Sequence, residues 1–335
     1  MLFRMETALF DYSLPLSAIA QSPSSPRDSS RLLVDGENIQ HKLVRDLPSI
    51  LRKGDLVVFN DTRVMQARLN LFKETGGAVE VLALAEISDG RWEALVRPSR
   101  KVATGALLYD SNRQPVLKVV GDGRSGIRVV EPTRGAVREL MRDHGKIPLP
   151  PYITAELQDS ERYQTVFARD ESSVAAPTAG LHITQSVLEG IKKTGAGTAF
   201  VELSVGLGTF RPIEVNDISD HSMHEESYRI SSHAWDACKE AERVIAVGTT
   251  VVRALESAAA TGNLMGTTDL FIAPGFEFRL VDALLTNFHQ PRSTLLVMIE
   301  AFVGSRWREL YSEALASGYR FLSFGDAMFL QREPS

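Results

Sequence analysis

One cysteine occurs in 335 residues, Cys238. That scarcity excludes an internal disulfide and the paired-cysteine zinc sites of fingers and nucleobase deaminases. A fold without such staples suits a reducing compartment. Long apolar runs are missing too. The longest, residues 295–303, is interrupted by Glu300 and falls far short of the roughly 20 residues that cross a bilayer. Near the N-terminus, Glu6 and Asp11 stand where an apolar signal region would continue. The expectation is a soluble cytoplasmic protein with no membrane partner. Hydrophobic residues make up 44% of the chain, enough for a core without metals or disulfides.

Positive charge is also in short supply. The formal net charge is −5, which excludes a generic, sequence-indifferent nucleic-acid binder. The deficit is uneven. Residues 65–150 hold 14 Lys/Arg and 10 Asp/Glu, a net of +4, and the remainder carries −9. A polyanion would meet the middle segment first.

The length suits two domains, and the text of the sequence changes accordingly. Residues 22–31 form a Ser/Pro/Asp loop. Residues 54–59 read as a strand leading into the polar turn Asn60-Asp61-Thr62-Arg63. Val79, Val81, Ala83, Ala85 and Ile87 then fall on alternate positions, as do Trp92, Ala94 and Val96, the period of half-buried strands. Gly76-Gly77, Asp89-Gly90 and Asp122-Gly123 punctuate them as hairpin turns. Closure into a small barrel would remove exposed edges. Residues 133–144 follow as a helix ending at Gly145, and 147–151 form a stiff, proline-rich connector.

From residue 175 strands and helices alternate. Helices are expected at 184–193, capped by Thr184, and at 234–242, 250–260, 294–302, capped by Ser293, and 307–316. Strands are expected at 199–205, 243–247 and 269–272, and around Phe321 and Phe329. The predicted fold is α/β, a layered, largely parallel sheet formed by residues 1–64 and 151–335, with an inserted antiparallel β-barrel over 65–150.

Several stretches invite chemical readings. Residues 121–126 match a dinucleotide G-x-G-x-x-G spacing, but a strand follows where the motif needs a helix, so a hairpin loop is the better reading. In 243–256 (RVIAVGTTVVRALE) a buried strand runs into Gly248-Thr249-Thr250 and then a helix. Free N–H groups and two hydroxyls at that helix start could hold a carboxylate or phosphate. A capped structural turn is the plainer account. His221, His224, Glu225 and Glu226 suggest metal, yet the order is that of no zinc hydrolase, so a metal-free acid–base site is preferred. Residues 175–182 (AAPTAGLH) and 205–212 (VGLGTFRP) are rich in small residues that let a ligand approach. The second also carries Arg211, fit to clamp a carboxylate or phosphate. Asn287-Phe288-His289 sits between a strand and a helix. Singly, each stretch is more often packing; together, at strand–helix junctions, they suggest an active site. Arg97, Arg100 and Lys101 form a basic cluster in the barrel segment, either a solvated hairpin or a phosphate contact.

These strings, with GDLVVFNDTR (54–63), GKIPLPPY (145–152), ERYQTV (161–166), DALLTNFH (282–289) and FGDAM (324–328), resemble the S-adenosylmethionine:tRNA ribosyltransferase-isomerase family of queuosine biosynthesis. The likeness runs almost the whole length. Ile183, Leu207, Gln66 and Gln290 depart from the family's usual residues, all outside the obvious polar groups. The resemblance implies that S-adenosylmethionine is a consumed co-substrate, with no separate cofactor and no metal. It implies that the ribosyl group passes to the aminomethyl group of a 7-deazaguanine at the wobble position of the tRNA anticodon loop, releasing adenine and methionine. A monomer is expected.

For that chemistry His182, His221, His224 and His289 could be base or acid. Glu226 could orient a histidine, and Arg211 could hold an oxyanion or carboxylate. Substrate contacts are expected from Asp61, Thr62, Arg63, Pro177, Thr178, Gly180, Gly208, Thr209, Phe210, Gly248, Thr249, Thr250, Asp282 and Asn287. Phe210, Tyr152 and Tyr163 could stack on the splayed base. RNA contacts are expected from Arg97, Arg100 and Lys101. Two other classes compete. A methyltransferase using the same donor would show an early glycine-rich turn, and none is evident. A non-catalytic RNA-binding module leaves the polar motifs of the acidic segment unexplained.

Overall fold

The computed structural model describes residues 4–88, 90–123, 127–206 and 212–332. The chain divides into two units, one of residues 1–63 with 150–335 and one of residues 64–149.

In the larger unit, alternate residues of the central strands enter two different cores. Leu56, Val58, Val244, Ala246 and Leu284 face one, and Val57, Phe59, Ile245, Val247 and Leu285 face the other. This is the two-residue period of a sheet covered on both sides. Across the sheet the strands run Met265–Thr268, Glu226–Ile230, Gly197–Leu203, Asp55–Asn60, Arg243–Val247, Ala283–Asn287, Ala327–Gln331, Arg31–Val34 and Gln40–Leu43. The four strands from Gly197–Leu203 to Ala283–Asn287 are mutually parallel. Antiparallel partners flank them on both sides, so the sheet is mixed, with the parallel arrangement at its centre.

Helices Ser232–Glu240, Thr249–Thr261, Thr294–Val303 and Trp307–Ala316 supply the first core, and Gln185–Lys193 the second. The expected caps are in place. Thr184 accepts from the Val187 N–H and Ser293 from the Leu296 N–H, each satisfying an orphan donor of a first turn. The sequence misplaces one strand. Residues 269–272 are irregular, and the strand is Met265–Thr268, paired with Glu226–Ile230. At the expected position the Thr268 hydroxyl takes the Leu270 N–H and Arg253 takes the Leu270 carbonyl, leaving no ladder to build. Phe321 makes only an isolated bridge, to Ile19.

In the smaller unit six antiparallel strands close on themselves. Arg68–Lys73, Ala78–Ser88, Arg91–Arg97, Ile127–Pro132, Pro115–Asp122 and Leu107–Tyr109 pair in that order, and Tyr109 returns to Phe72. Val79, Val81, Ala83, Trp92, Ala94 and Val96 are buried as their alternation predicts. Ala85 and Ile87 are exposed instead, because the register shifts between Ala83 and Ala85 and such a bulge turns the strand over. Pro115–Asp122 pairs with Ile127–Pro132, so the glycine-rich string at 121–126 joins two strands; its last three residues lie outside the described ones. So does Asp89 of the expected Asp89-Gly90 turn.

Candidate active site

Asn60, Leu203, Val247 and Asn287 end the four parallel strands, so they lie along one edge of the sheet, where ligands bind in open α/β folds. A cleft of about 620 Å³ opens there, lined by Pro177, Thr178, Gly248, Thr249, Thr250 and Asn287, with His289. Tyr152 also lines it.

Gly248 makes the turn from strand to helix at φ 94° and ψ 151°, a conformation essentially confined to glycine. Its N–H donates to the Leu285 carbonyl at 2.8 Å. Thr249 and Thr250 then open the helix Thr249–Thr261, and first-turn N–H groups have no intrahelical acceptor. The positive end of the helix dipole thus lies on the cleft. Asn60 Nδ2 donates to Thr250 Oγ1 at 3.4 Å, tying the turn to the neighbouring strand.

Asn287 is held from two sides. Thr178 Oγ1 donates to its Oδ1 at 2.8 Å, and its Nδ2 contacts His182 Nε2 at 3.0 Å. His182 is itself buried, with Nδ1 2.9 Å from Ser30 Oγ. Burial, with Arg320 and Arg27 adding repulsion, brings its pKa down to about 4, so the ring is neutral. Both its nitrogens are engaged, and it does not line the cleft. His289 does. Its backbone N–H donates to Tyr311 Oη at 3.0 Å and its carbonyl accepts from Tyr12 Oη at 2.5 Å. Its Nε2 lies 3.2 Å from Thr286 Oγ1. Nδ1 has no hydrogen-bond partner among the described residues. Burial drives the His289 pKa to about 3.

Two further cavities follow in series: the first shares Thr249, Thr250 and Leu295 with this cleft, and the second shares Glu226, Arg253 and Thr294 with the first. One of about 350 Å³ is bounded by Thr249, Thr250, Glu226 and Arg253. The other, about 910 Å³, is bounded by Glu226 and Arg253 together with Asp220, His221 and His224. Glu226 opens the strand beside the edge strand Met265–Thr268, pairs with Arg253, and accepts the Gly206 N–H at 2.9 Å. Burial and the neighbouring His224 lower the His221 pKa. Among the described residues no group of three or more His, Cys, Asp or Glu is placed to hold a metal ion.

Other expected residues lie elsewhere. Gly180 backs onto Phe167 and Thr165, and a Cβ there would come within 3.0 Å of both; its smallness serves packing. Asp282 is at the amino ends of the strands, where it accepts the Val244 N–H at 2.9 Å. A five-residue strand separates it from Asn287, about 16 Å at the usual rise, so it does not reach the cleft. Tyr163 is wholly buried and cannot stack on a base. Asp61, Thr62 and Arg63 follow the central strand but do not line the cleft. Asp61 pairs with Arg169 at 3.4 Å, and Arg63 with Glu161. Burial raises the Asp61 pKa to about 6, against the opposing pull of Arg169. Arg97, Arg100 and Lys101 are exposed on the barrel unit. Gly208, Thr209, Phe210 and Arg211 lie outside the described residues. The sequence reading missed Arg253. It sits in a helix whose apolar spacing signals core, and a charge within such a face was the available signal.

Residues 7–330 match the queuosine biosynthesis protein family. An S-adenosylmethionine:tRNA ribosyltransferase-isomerase of Rubrobacter xylanophilus is 48% identical over 97% of this chain and 98% of its own. Another, of Thermotoga petrophila, is 46% identical over 97% and 100%. A crystal structure of S-adenosylmethionine tRNA ribosyltransferase from Thermotoga maritima superposes with a TM-score of 0.55 at 36% identity, covering 96% of this chain and 99% of that one. A match over nearly the full length, in sequence and in fold, places this chain in the queuosine biosynthesis protein family.

Proposed function

We propose that the chain transfers and isomerises the ribosyl group of S-adenosylmethionine onto the 7-aminomethyl group of a 7-deazaguanine at the tRNA wobble position, releasing adenine and methionine. The observation that carries this reading is the cleft at the carboxyl ends of the parallel strands, which shares Thr249 and Thr250 with a second cavity lined by Glu226 and Arg253. The nucleoside half of the donor fits between the small residues Ala176, Pro177 and Ala179 and the ring of Phe288. The methionine half passes the Thr249–Thr250 helix start, whose N–H groups suit a carboxylate, toward Arg253 and Glu226.

The sulfonium acidifies the adjoining ribose CH₂, so the first step is removal of a proton from that carbon. The carbanion's pair forms a C4′–C5′ double bond and breaks C4′–O4′. The freed oxygen's pair forms a C1′ carbonyl, and adenine leaves with the C1′–N bonding pair, taking up a proton or a hydrogen bond. With His182 occupied at both nitrogens, proton removal falls to His289, a neutral base through Nδ1, and to His221 and His224 in the cavity beyond the Glu226–Arg253 pair. The aminomethyl nitrogen adds to C4′ of the resulting vinyl sulfonium and loses a proton. The C5′ carbanion so formed closes on the C1′ carbonyl to give the five-carbon ring, and the alkoxide produced displaces methionine from C5′ as the epoxide forms. Incubation with S-adenosylmethionine and precursor tRNA, followed by mass spectrometry, tests the reading. Joint release of adenine and methionine with the matching gain in nucleoside mass is expected. A methylated nucleoside without adenine release, or tight RNA binding without turnover, would overturn it.

A further inference from the structure

A run of hydrogen bonds behind the cleft has only one consistent direction. Arg320, which can only donate, donates to Ser24 Oγ. Ser30 Oγ also donates to Ser24 Oγ, at 2.9 Å. The Ser30 oxygen is therefore left to accept from His182 Nδ1, 2.9 Å away. A neutral ring with its proton on Nδ1 has a bare Nε2, which must accept, and the group opposite it is Asn287 Nδ2 at 3.0 Å. The other Nδ2 hydrogen points to the Asp326 carbonyl at 3.4 Å. Both donors of the Asn287 amide are thus spent on the protein. Its Oδ1 takes one hydrogen bond, from Thr178, and keeps a second lone pair.

We infer that His182 is a positioning residue that fixes Asn287 as a hydrogen-bond acceptor toward the cleft, so that the site selects an N–H or O–H donor on the nucleoside half of its substrate. Thr178 Oγ1, having given its own hydrogen to Asn287, adds a second acceptor to the same wall. An amide free to rotate would offer donor and acceptor alike and select neither. The neutrality imposed on His182 by burial and the two nearby arginines keeps Nε2 available. The inference rests on the reading that the nucleoside occupies this cleft, and two sources of donor are open, the adenine amino group and the ribose hydroxyls.

The test is inhibition of adenine release, with precursor tRNA present, by S-adenosylmethionine analogues lacking the 6-amino, 2′-hydroxyl or 3′-hydroxyl group. Wild-type protein should bind at least one of them about tenfold or more weakly than the parent, since an acceptor built for a donor rejects the analogue without it. The analogue concerned identifies the source. His182→Phe should bring that ratio to within about twofold, and His182→Gln, whose carbonyl can accept from Asn287, should restore much of it. A purely structural role would lower turnover in His182→Phe and leave every ratio unchanged. That result, or a wild-type protein indifferent to all three analogues, would overturn the inference. A second measurement needs no variant. ¹⁵N NMR of histidine-labelled wild-type protein at pH 7 should show His182 protonated on Nδ1 alone, and a proton on Nε2 would sink the proposal. Absence of adenine release by the wild type would count against ribosyl transfer, and the tautomer would still decide this point.

Discussion

Arg253 donates to the Glu226 carboxylate on the shared wall of two cavities, and neither side chain is more than 5% exposed. The guanidinium also serves the Leu270 and Thr268 carbonyls, each at 3.1 Å, so one side chain gathers the strand end, the helix and the segment after it. Arg253→Met would take the Arg253 guanidinium away from a buried carboxylate, and losses of that kind run to about 3–5 kcal/mol. Arg253→Lys should recover little, because a single ammonium cannot reproduce the planar fork. The double variant Arg253→Met with Glu226→Gln should be more stable than Arg253→Met alone. Urea unfolding of the three variants measures this, and equal stability of the single and double variants would contradict it.

How much of this was legible beforehand depends on which force decides. The strand Arg243–Val247 and the helices after it were readable because their apolar spacing and caps, Thr184 and Ser293, are local. Met265–Thr268 was not, because an edge strand of four residues, three of them exposed, is chosen by its partner. Asp282 and Asn287 stand in one recognisable string, yet a strand's length puts them at opposite edges of the sheet. Only the direction of the strand, a tertiary fact, says which one meets a ligand. His182 presented the same difficulty in another form, since a histidine in a motif reads as acid or base until its two nitrogens are seen to be occupied.

Gly248→Ala tests the helix start. A Cβ there would meet its nearest neighbours, in Ala179 and Thr250, at 3.6 Å, an ordinary contact, so space is no obstacle. The torsion is, and a non-glycine residue in that region costs about 1–3 kcal/mol. Relief of the strain would rotate the Thr249 and Thr250 N–H groups. The KM for S-adenosylmethionine should rise several-fold, while an Ala substitution at Gly262, the left-handed residue at the far end of the same helix, should leave KM alone. Steady-state adenine release compares the two.

Asp61 should write a signature into stability against pH. Its folded pKa, near 6, lies above the ordinary 3.8, so between these values the folded protein binds more protons than the unfolded chain. Stability from this group is therefore present in full below about pH 4 and is lost as pH rises through 6. Asp61→Asn carries no such term. The stability of the variant relative to wild type should grow from pH 4 to 6 and level off above 7. Arg169, its exposed partner, can return to water, so the variant should not suffer for losing the pair. Guanidinium unfolding at several pH values reads the difference, and a flat difference across the window would refute the assignment.

Glu256 is wholly buried, and its carboxylate accepts the N–H groups of Arg279, Leu280 and Val281 at 2.9, 3.0 and 2.9 Å. It lines none of the three cavities, so it serves the fold rather than the chemistry. Glu256→Gln replaces one acceptor oxygen by a donor that faces backbone donors, and hydrogen bonds to a charged group are worth about 1.5–3 kcal/mol each. Unfolding temperature should fall by several degrees while KM for S-adenosylmethionine is unchanged at a temperature where the variant is folded.

The barrel cluster is best tested by salt. Arg97, Arg100 and Lys101 are exposed, and exposed side chains tolerate reversal with little cost to folding. If they meet phosphates, each contact releases a counterion, and the slope of log affinity against log salt carries about −0.7 to −0.9 per contact. Arg100→Gln with Lys101→Gln should then weaken tRNA binding at low salt and make the slope shallower by about 1.5. The KM for S-adenosylmethionine should stay the same, because the cleft proposed for the donor is formed by the other unit. A weaker affinity with an unchanged slope would mean the variants act on the hairpin and not on the phosphates. An unchanged affinity would leave the cluster as a solvated turn, with the net positive charge of residues 65–150 to be accounted for by other side chains.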